Sequence, residues 1–388
     1  MLALVPDHWG PYWQARHQLV SRLARYFEVV WVDNPISWRN VFLAKNSGHG
    51  QWTGDLGPSL QIYSPGPSLP EFGRPKWLAN LTLRKRLKHA HDLLLRRGCS
   101  NIVLYIWQPR FADALGVVKH DLSCYQIDDE YSFSAEEGAL DAREIQIIRS
   151  VDQVFIHSPA MMEKKGNINP HTEFVPNGVD YASYADPAPE PEDLRHIPHP
   201  RIGYSGVLKK QLDWSQLLQL SVEHPEWSFV FVGPLSPGWK PGDAYRSLSA
   251  RRNVHFLGAK STEQATKYPQ HFQVCIMPYR VDGYTKYIYP LKLHEYLASG
   301  RPVVAARIPS LQAFEHALSF ATTCEEWSSA IRQALTTVAD SPELRAARQN
   351  IARSHDWDIL VRTIAETILQ RLGIESPEHR NNVAEVLT

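Results

Sequence analysis

Lys292 and Glu295 stand three residues apart in the run Tyr289-Pro290-Leu291-Lys292-Leu293-His294-Glu295-Tyr296-Leu297-Ala298-Ser299-Gly300. On a helix that spacing puts a cation and a carboxylate on one face. A helix start has unpaired N–H groups and a partial positive charge, which suits phosphate, and Lys292 adds a full charge there. One turn on, a carboxylate can accept from two vicinal hydroxyls, as on a ribose. A plain i,i+3 surface salt bridge would use the same pair, and spacing alone does not choose between the two. Asp128 and Asp129 directly follow an apolar run, where carboxylates either meet a ligand or cap a helix. After another apolar run, Gly206 lets backbone approach a phosphate, with Lys209 and Lys210 close behind.

These residues need elements to hold them. Pro290 suits the first helical position, Gly300 a left-handed cap, and Pro302 stops the helix ahead of a buried strand at 303–306. The first half of the chain alternates short apolar strands, at 2–5, 29–32, 60–63, 101–107, 123–127 and 153–157, with helical stretches at about 14–26 and 76–97. Such alternation predicts an α/β parallel sheet, whose ligands bind at the carboxyl ends of the strands. Residues 42–72 read as an irregular surface segment around the 60–63 strand. A second series runs through 201–205, 228–233, 254–258, 274–277 and 302–305. The Pro- and Glu-rich stretch 186–200 is the predicted linker between the two series. The expected division is therefore an N-terminal domain over 1–185, a linker over 186–200 and a C-terminal domain over 201–355. A last helix spans 356–375, and a polar tail follows it.

The totals agree with two soluble α/β domains. The chain has 388 residues, 43% of them hydrophobic, with Lys plus Arg and Asp plus Glu equal at 41 each. That balance gives no field for nucleic acid. The four cysteines are dispersed without a C-x-x-C, which predicts neither zinc nor a disulfide framework and suits a reduced, cytoplasmic chain. The opening residues are too short for a signal peptide, and no run reaches membrane-span length. The basic run Arg84-Lys85-Arg86-Leu87-Lys88-His89 is either a solvated helix face or a patch for peripheral association with a membrane.

The segment from Pro290 to Ala305 resembles the donor-nucleotide motif of retaining glycosyltransferases with two Rossmann-like domains, the GT-B fold, close to family 4. The resemblance implies that Glu295 holds the ribose while Pro290 and Leu291 face the diphosphate. Pro176-Asn177-Gly178-Val179-Asp180 is a second signature, read as a fold marker. The first loop, with Trp9, Gly10, Gln14, Arg16 and His17, resembles one that faces the interdomain cleft. Trp9, Gly10, Arg16 and His17 thereby become candidate acceptor or sugar contacts. Tyr125-Gln126-Ile127-Asp128-Asp129 resembles a run that touches acceptor or donor sugar.

In the C-terminal domain, Ser205 and Gly206 stand where relatives carry Gly-Arg-Leu-x-x-x-Lys. Val207 and Leu212 replace the two cations, so Lys209 and Lys210 are the substitutes. Gly233 and Leu257 lie in loops expected along the nucleotide, Leu257 where backbone reads the base. Many relatives have a further acid eight positions before Glu295. Tyr287 stands there, and the pattern moves towards a subgroup in which Thr285 contacts sugar and Lys286 the diphosphate or donor sugar.

The expectation is a metal-independent hexosyltransferase using a nucleoside-diphosphate sugar, UDP-linked before GDP-linked. Its acceptor would be a glycan or lipid-linked molecule of bacterial polysaccharide synthesis, and it would take no cofactor. Lys286, Lys292, Asp128 and Asp129 are the candidate catalytic residues. A cytoplasmic site at the inner face of the membrane follows from such an acceptor. A catalytically silent GT-B scaffold and a non-hydrolysing sugar-nucleotide epimerase are the alternatives.

Overall fold

The computed structural model describes residues 1–10, 13–41, 57–133 and 138–375. The described residues form two compact units. One is built from those up to Val175 together with those from Leu360 on, the other from Pro176–Ile359.

The first unit holds a seven-stranded sheet: β1 (Leu2–Leu4), β2 (Val29–Val32), β3 (Leu60–Tyr63), β4 (Val103–Ile106), β5 (Leu122–Ile127), β6 (Gln153–Ile156) and β7 (Thr172–Phe174). Their order is β3-β2-β1-β4-β5-β6-β7, and every pairing is parallel. β1, β2, β4, β5 and β6 are buried along their whole length, as sheets covered by helices on both faces require. Ala3 sits between Trp31 and Tyr105 at the middle of the sheet. Strand order reverses between β1 and β4, so the loops at Val5 and Trp107 flank the switch point. The long helix Lys76–Arg96 follows the predicted span almost to the residue.

The second unit repeats the plan with six parallel strands: β8 (Arg201–Ser205), β9 (Ser228–Val232), β10 (Val254–Phe256), β11 (Val274–Met277), β12 (Val303–Ala306) and β13 (Ser319–Ala321). The order β10-β9-β8-β11-β12-β13 puts the switch point between β8 and β11. The edge strands β7 and β13 have only three residues each and carry no periodic signal of their own.

Residues 186–200 are not a loose connection. Leu194 is fully buried and Ile197 nearly so, both within the second unit's core, and a short 3-10 turn forms at Glu192–Leu194. Each buried aliphatic side chain contributes about 1.5–3 kcal/mol, enough for two of them to pin a short segment. The Arg201 guanidinium holds the segment's carbonyls, with Nε to Ile197 O at 2.9 Å and Nη2 to Leu194 O at 2.7 Å. Proline and glutamate content concealed this packing. Of the expected irregular segment 42–72, residues 42–56 lie outside the described residues.

Candidate functional site

The second unit's site forms where β8, β9 and β11 end. Gly206 follows β8 with φ +138°, and its N–H donates to Val232 O at 2.7 Å. Gly233 follows β9 with the same φ of +138°, and its N–H donates to Gly258 O at 2.8 Å. A Cβ at Gly233 would lie 2.2 Å from Gly206 O. The two loops touch backbone to backbone, which only glycine permits. A Cβ at Gly206 would lie 2.2 Å from Lys292 Nζ, so the ammonium rests directly on that glycine.

Lys292 opens the helix Lys292–Ala298. Leu291 is already helical at φ −52° and ψ −38°, and Leu293 N–H donates to Pro290 O at 3.2 Å, so the first turn is tight. The helix thus begins two residues later than Pro290 at its first position would give, because that turn closes on three residues rather than four. Gly300 takes the left-handed cap at φ +74° as expected.

Lys292 Nζ also lies 5.1 Å from the Tyr204 ring centroid, a cation–π distance. Among the described residues it makes no salt bridge. Lys209 sits over Tyr279 at 5.9 Å, and Lys286 over Tyr287 at 4.7 Å. Lys210 is exposed. Burial pushes the Glu295 carboxyl above its ordinary range, while Lys292 and the Tyr184 hydroxyl pull the other way. Next on the helix, Tyr296 is fully buried, and its hydroxyl accepts from Ser205 N–H at 2.8 Å, tying the helix to the end of β8. Lys292, Glu295, Ser205, Gly206 and Gly233 are thus brought together, with Lys209 beside them.

Several predicted contacts serve the fold instead. Thr285 is fully buried, and its hydroxyl accepts from Asp282 N–H at 2.9 Å and donates to Asp282 O at 3.1 Å. It has no surface to offer a sugar. Pro290 is buried and Leu291 half-buried. Leu257 spends its N–H on Phe231 O at 2.9 Å. Tyr287, at the position of the missing acid, is buried.

In the first unit, Arg16 joins Asp7 and Asp128, with Nε to Asp128 Oδ2 at 2.6 Å. Burial works against the guanidinium's charge, yet Asp128 and Asp7 outweigh it and hold its pKa above the usual value. The Tyr131 hydroxyl donates to Trp107 O at 3.0 Å and lies 3.3 Å from Asp128 Oδ1. Arg16 and Asp128 are therefore partners of one another. Asp129 caps its own loop, accepting from Glu130 N–H at 2.8 Å.

Trp9 is buried edge-on to Trp31 at 5.0 Å, and His17 is buried with Nδ1 accepting from Gln14 N–H at 3.2 Å. Trp9 thus packs in the core, and His17 closes the start of the first helix. Gly10 keeps open space around it.

The sequence reading missed two groups here. Asp33, buried, accepts from Trp9 N–H at 3.1 Å and Trp31 Nε1 at 3.0 Å. Lys165, wholly buried, bridges Glu130 at 3.2 Å and Glu144 at 2.7 Å beneath the Asp128–Asp129 loop. The only signal in the sequence was an acid directly after a strand, shared with many surface turns.

Residues 199–337 match the family model described as glycosyl transferases group 1. Over 241 residues the chain is 29% identical to the putative teichuronic acid biosynthesis glycosyltransferase TuaH of Bacillus subtilis strain 168. That match covers 57% of this chain and 57% of TuaH, so the chain spans little more than half the length of that relative. Among solved structures, Anabaena HepE in complex with UDP superposes with a TM-score of 0.66 at 16% identity, over 95% of this chain and 99% of that one. WaaG, a glycosyltransferase involved in lipopolysaccharide biosynthesis, gives 0.60 at 14% identity, over 94% and 99%. The second unit carries a group 1 glycosyltransferase domain, and the chain as a whole has the α/β architecture of GT-B glycosyltransferases.

Proposed function

We propose that the chain is a retaining, metal-independent glycosyltransferase of the family 4 kind. It moves a hexose-type sugar from a nucleoside-diphosphate sugar, UDP-linked before GDP-linked, to a glycan or lipid-linked acceptor in bacterial polysaccharide synthesis. The observation that carries this reading is the Lys292 ammonium lying on Gly206 with no salt bridge among the described residues, and Glu295 one turn further along. A diphosphate fits the first feature and a ribose the second.

When the bond from the sugar to the diphosphate breaks, negative charge develops on the leaving phosphate. Lys292, with Lys209 beside it, compensates that charge with groups already in place. Ammonium groups, Lys286 joining them once the donor is bound, supply what a divalent cation supplies elsewhere. The Anabaena protein solved with UDP and the teichuronic acid enzyme of B. subtilis support the nucleotide and the polysaccharide setting.

A lipid-linked acceptor fits a peripheral position on the inner face of the membrane. Trp77, 67% exposed, and Leu81 project from the helix Lys76–Arg96 beside the exposed Arg84, Lys85 and Lys88. Aromatic and basic side chains together suit an anionic lipid surface. No described helix is long and apolar enough to cross a membrane.

A thermal-shift panel of UDP-, GDP-, ADP- and dTDP-sugars tests the site. UDP-glucose or another UDP-sugar raises the Tm through linkage, EDTA leaves that shift intact, and slow donor hydrolysis appears without acceptor. A shift without hydrolysis or transfer would favour a silent scaffold. No shift with any donor would refute the reading.

A further inference from the structure

We infer that His8 is an acceptor contact of the first unit, its Nε2 accepting a hydrogen bond from a sugar hydroxyl while Asp33 positions the ring. The inference deepens the acceptor half of the function proposed above and rests on it. His8 stands in the loop after β1, at the switch point of the seven-stranded sheet, where sheets of this kind bind ligands. Its loop neighbour Asp7 is engaged by Arg16, which also holds Asp128. The His8 side chain is 59% exposed. Its backbone is fixed all the same. His17 Nδ1 accepts from Gln14 N–H, so His17 carries its proton on Nε2 and donates it to His8 O at 3.2 Å.

Asp33 directs the ring. It follows β2 and is buried, and its Oδ1 accepts from Trp9 N–H at 3.1 Å and from Trp31 Nε1 at 3.0 Å. The Ser64 hydroxyl donates to Oδ2. With both oxygens held, the carboxylate cannot turn. His8 Nδ1 lies 3.8 Å from Oδ2, too far for a hydrogen bond and close enough for a strong electrostatic pull. A carboxylate on that side keeps the imidazole proton on Nδ1 and leaves the lone pair on Nε2. Among the described residues no hydrogen bond engages Nε2.

The surrounding charges favour a neutral ligand. Asp33 comes from the end of β2 and Asp7 from the loop of His8 itself, while Arg16 and His17 lie on the helix Ala15–Leu23. Burial lowers the His17 pKa, which keeps that ring neutral. After β4, the Arg110 guanidinium donates to Asn34 Oδ1 at 2.6 Å. Asp7, Asp33 and Asp128 thus stand against Arg16 and Arg110, with no surplus positive charge for a phosphate or a carboxylate. A hydroxyl, which donates to a nitrogen, fits. Asp33 holds the His8 pKa above its ordinary value, although partial burial works the other way. Below that pKa both ring nitrogens carry protons and Nε2 cannot accept, so hydroxyl binding is lost as pH falls through it.

NMR of the full chain with neutral methyl glycosides of glucose, galactose and N-acetylglucosamine tests this. The His8 Cε1–H signal is identified by its absence in His8→Gln. At pH 8 at least one glycoside should shift that signal saturably, and saturation-transfer measurements should show His8→Gln binding it roughly three- to tenfold more weakly. Binding should fade towards pH 5. Asp33→Asn should move the midpoint of that fade, and the His8 titration with it, to lower pH. A His8 signal that no glycoside moves would overturn the inference, as would equal affinity in His8→Gln. Methyl glucuronide binding more tightly than methyl glucoside would mark an anion site instead. Weaker binding in Asp33→Asn with an unmoved midpoint would make Asp33 merely structural. UDP calorimetry on the same proteins keeps the two levels apart. Unchanged UDP affinity in both variants is expected, and a parent chain that binds no UDP would overturn the donor reading rather than the role of His8.

Discussion

The carboxyl edges of the two sheets carry comparable sets of charged residues and use them in opposite ways. At the first unit's edge, Arg16 is clasped by Asp7 and Asp128, and Asp33 accepts from Trp9, Trp31 and Ser64. The Arg16 guanidinium and the Asp33 carboxylate thus both find partners within their own unit. At the second unit's edge, Lys292 leans on a glycine and an aromatic ring, and Glu295 makes no salt bridge among the described residues. Charge held without a direct ion pair at a sheet's switch point costs stability, and a ligand of opposite sign offsets that cost. Matched charge instead builds the loop. Residue type alone would have ranked the two edges as equals.

Three substitutions can break or sharpen this contrast. Removing one partner of a largely buried ion pair costs about 3 kcal/mol or more, so Arg16→Met should lower the Tm by many degrees in a denaturation scan. Its UDP affinity should stay near that of the parent. A Tm within a degree of the parent would place Arg16 among ligand contacts after all. Gly206→Ala should act in the reverse sense. The added Cβ would sit 2.2 Å from Lys292 Nζ, displacing the ammonium and lowering turnover by roughly tenfold, about 1.4 kcal/mol. Turnover equal to the parent would show that Lys292 does not act from this place.

The smallest effect concerns stability against pH. Burial raises the folded-state pKa of Glu295 above its ordinary value. The folded protein therefore holds that proton more tightly than the unfolded chain does. The site's contribution is fully present below the ordinary Glu pKa and is lost as pH rises through the raised one. Glu295→Gln, which cannot ionise, should then raise the Tm of the ligand-free protein near pH 7 by a few degrees, about 1 kcal/mol. That gain should vanish at pH 4. A Tm lowered at neutral pH would mean that the carboxylate stabilises the fold rather than waiting for a ligand.

The parallel-sheet plan was legible because buried strands and amphipathic helices each leave a short-range pattern. That Gly206, Lys292 and Glu295 come to one sheet edge was legible for a related reason: strand ends and helix starts follow from local spacing. The burial of Thr285, Trp9 and His17 was not, since a polar or aromatic side chain looks the same in sequence whether it is exposed or fills a core. The Arg16–Asp128 and Lys165–Glu144 pairs join residues 112 and 21 positions apart. Nothing local announces such partnerships.

Arg201 carries a practical lesson about where this protein can be divided. Its guanidinium, 1% exposed, is satisfied by the carbonyls of Leu194 and Ile197 and by Glu190, all upstream of the first strand of the second sheet. A fragment begun at 201 would bury a cation with nothing to receive its protons and open a hole where two aliphatic side chains had been. One begun at Pro176 would carry its own plug, and is the piece to express when the second unit is wanted alone.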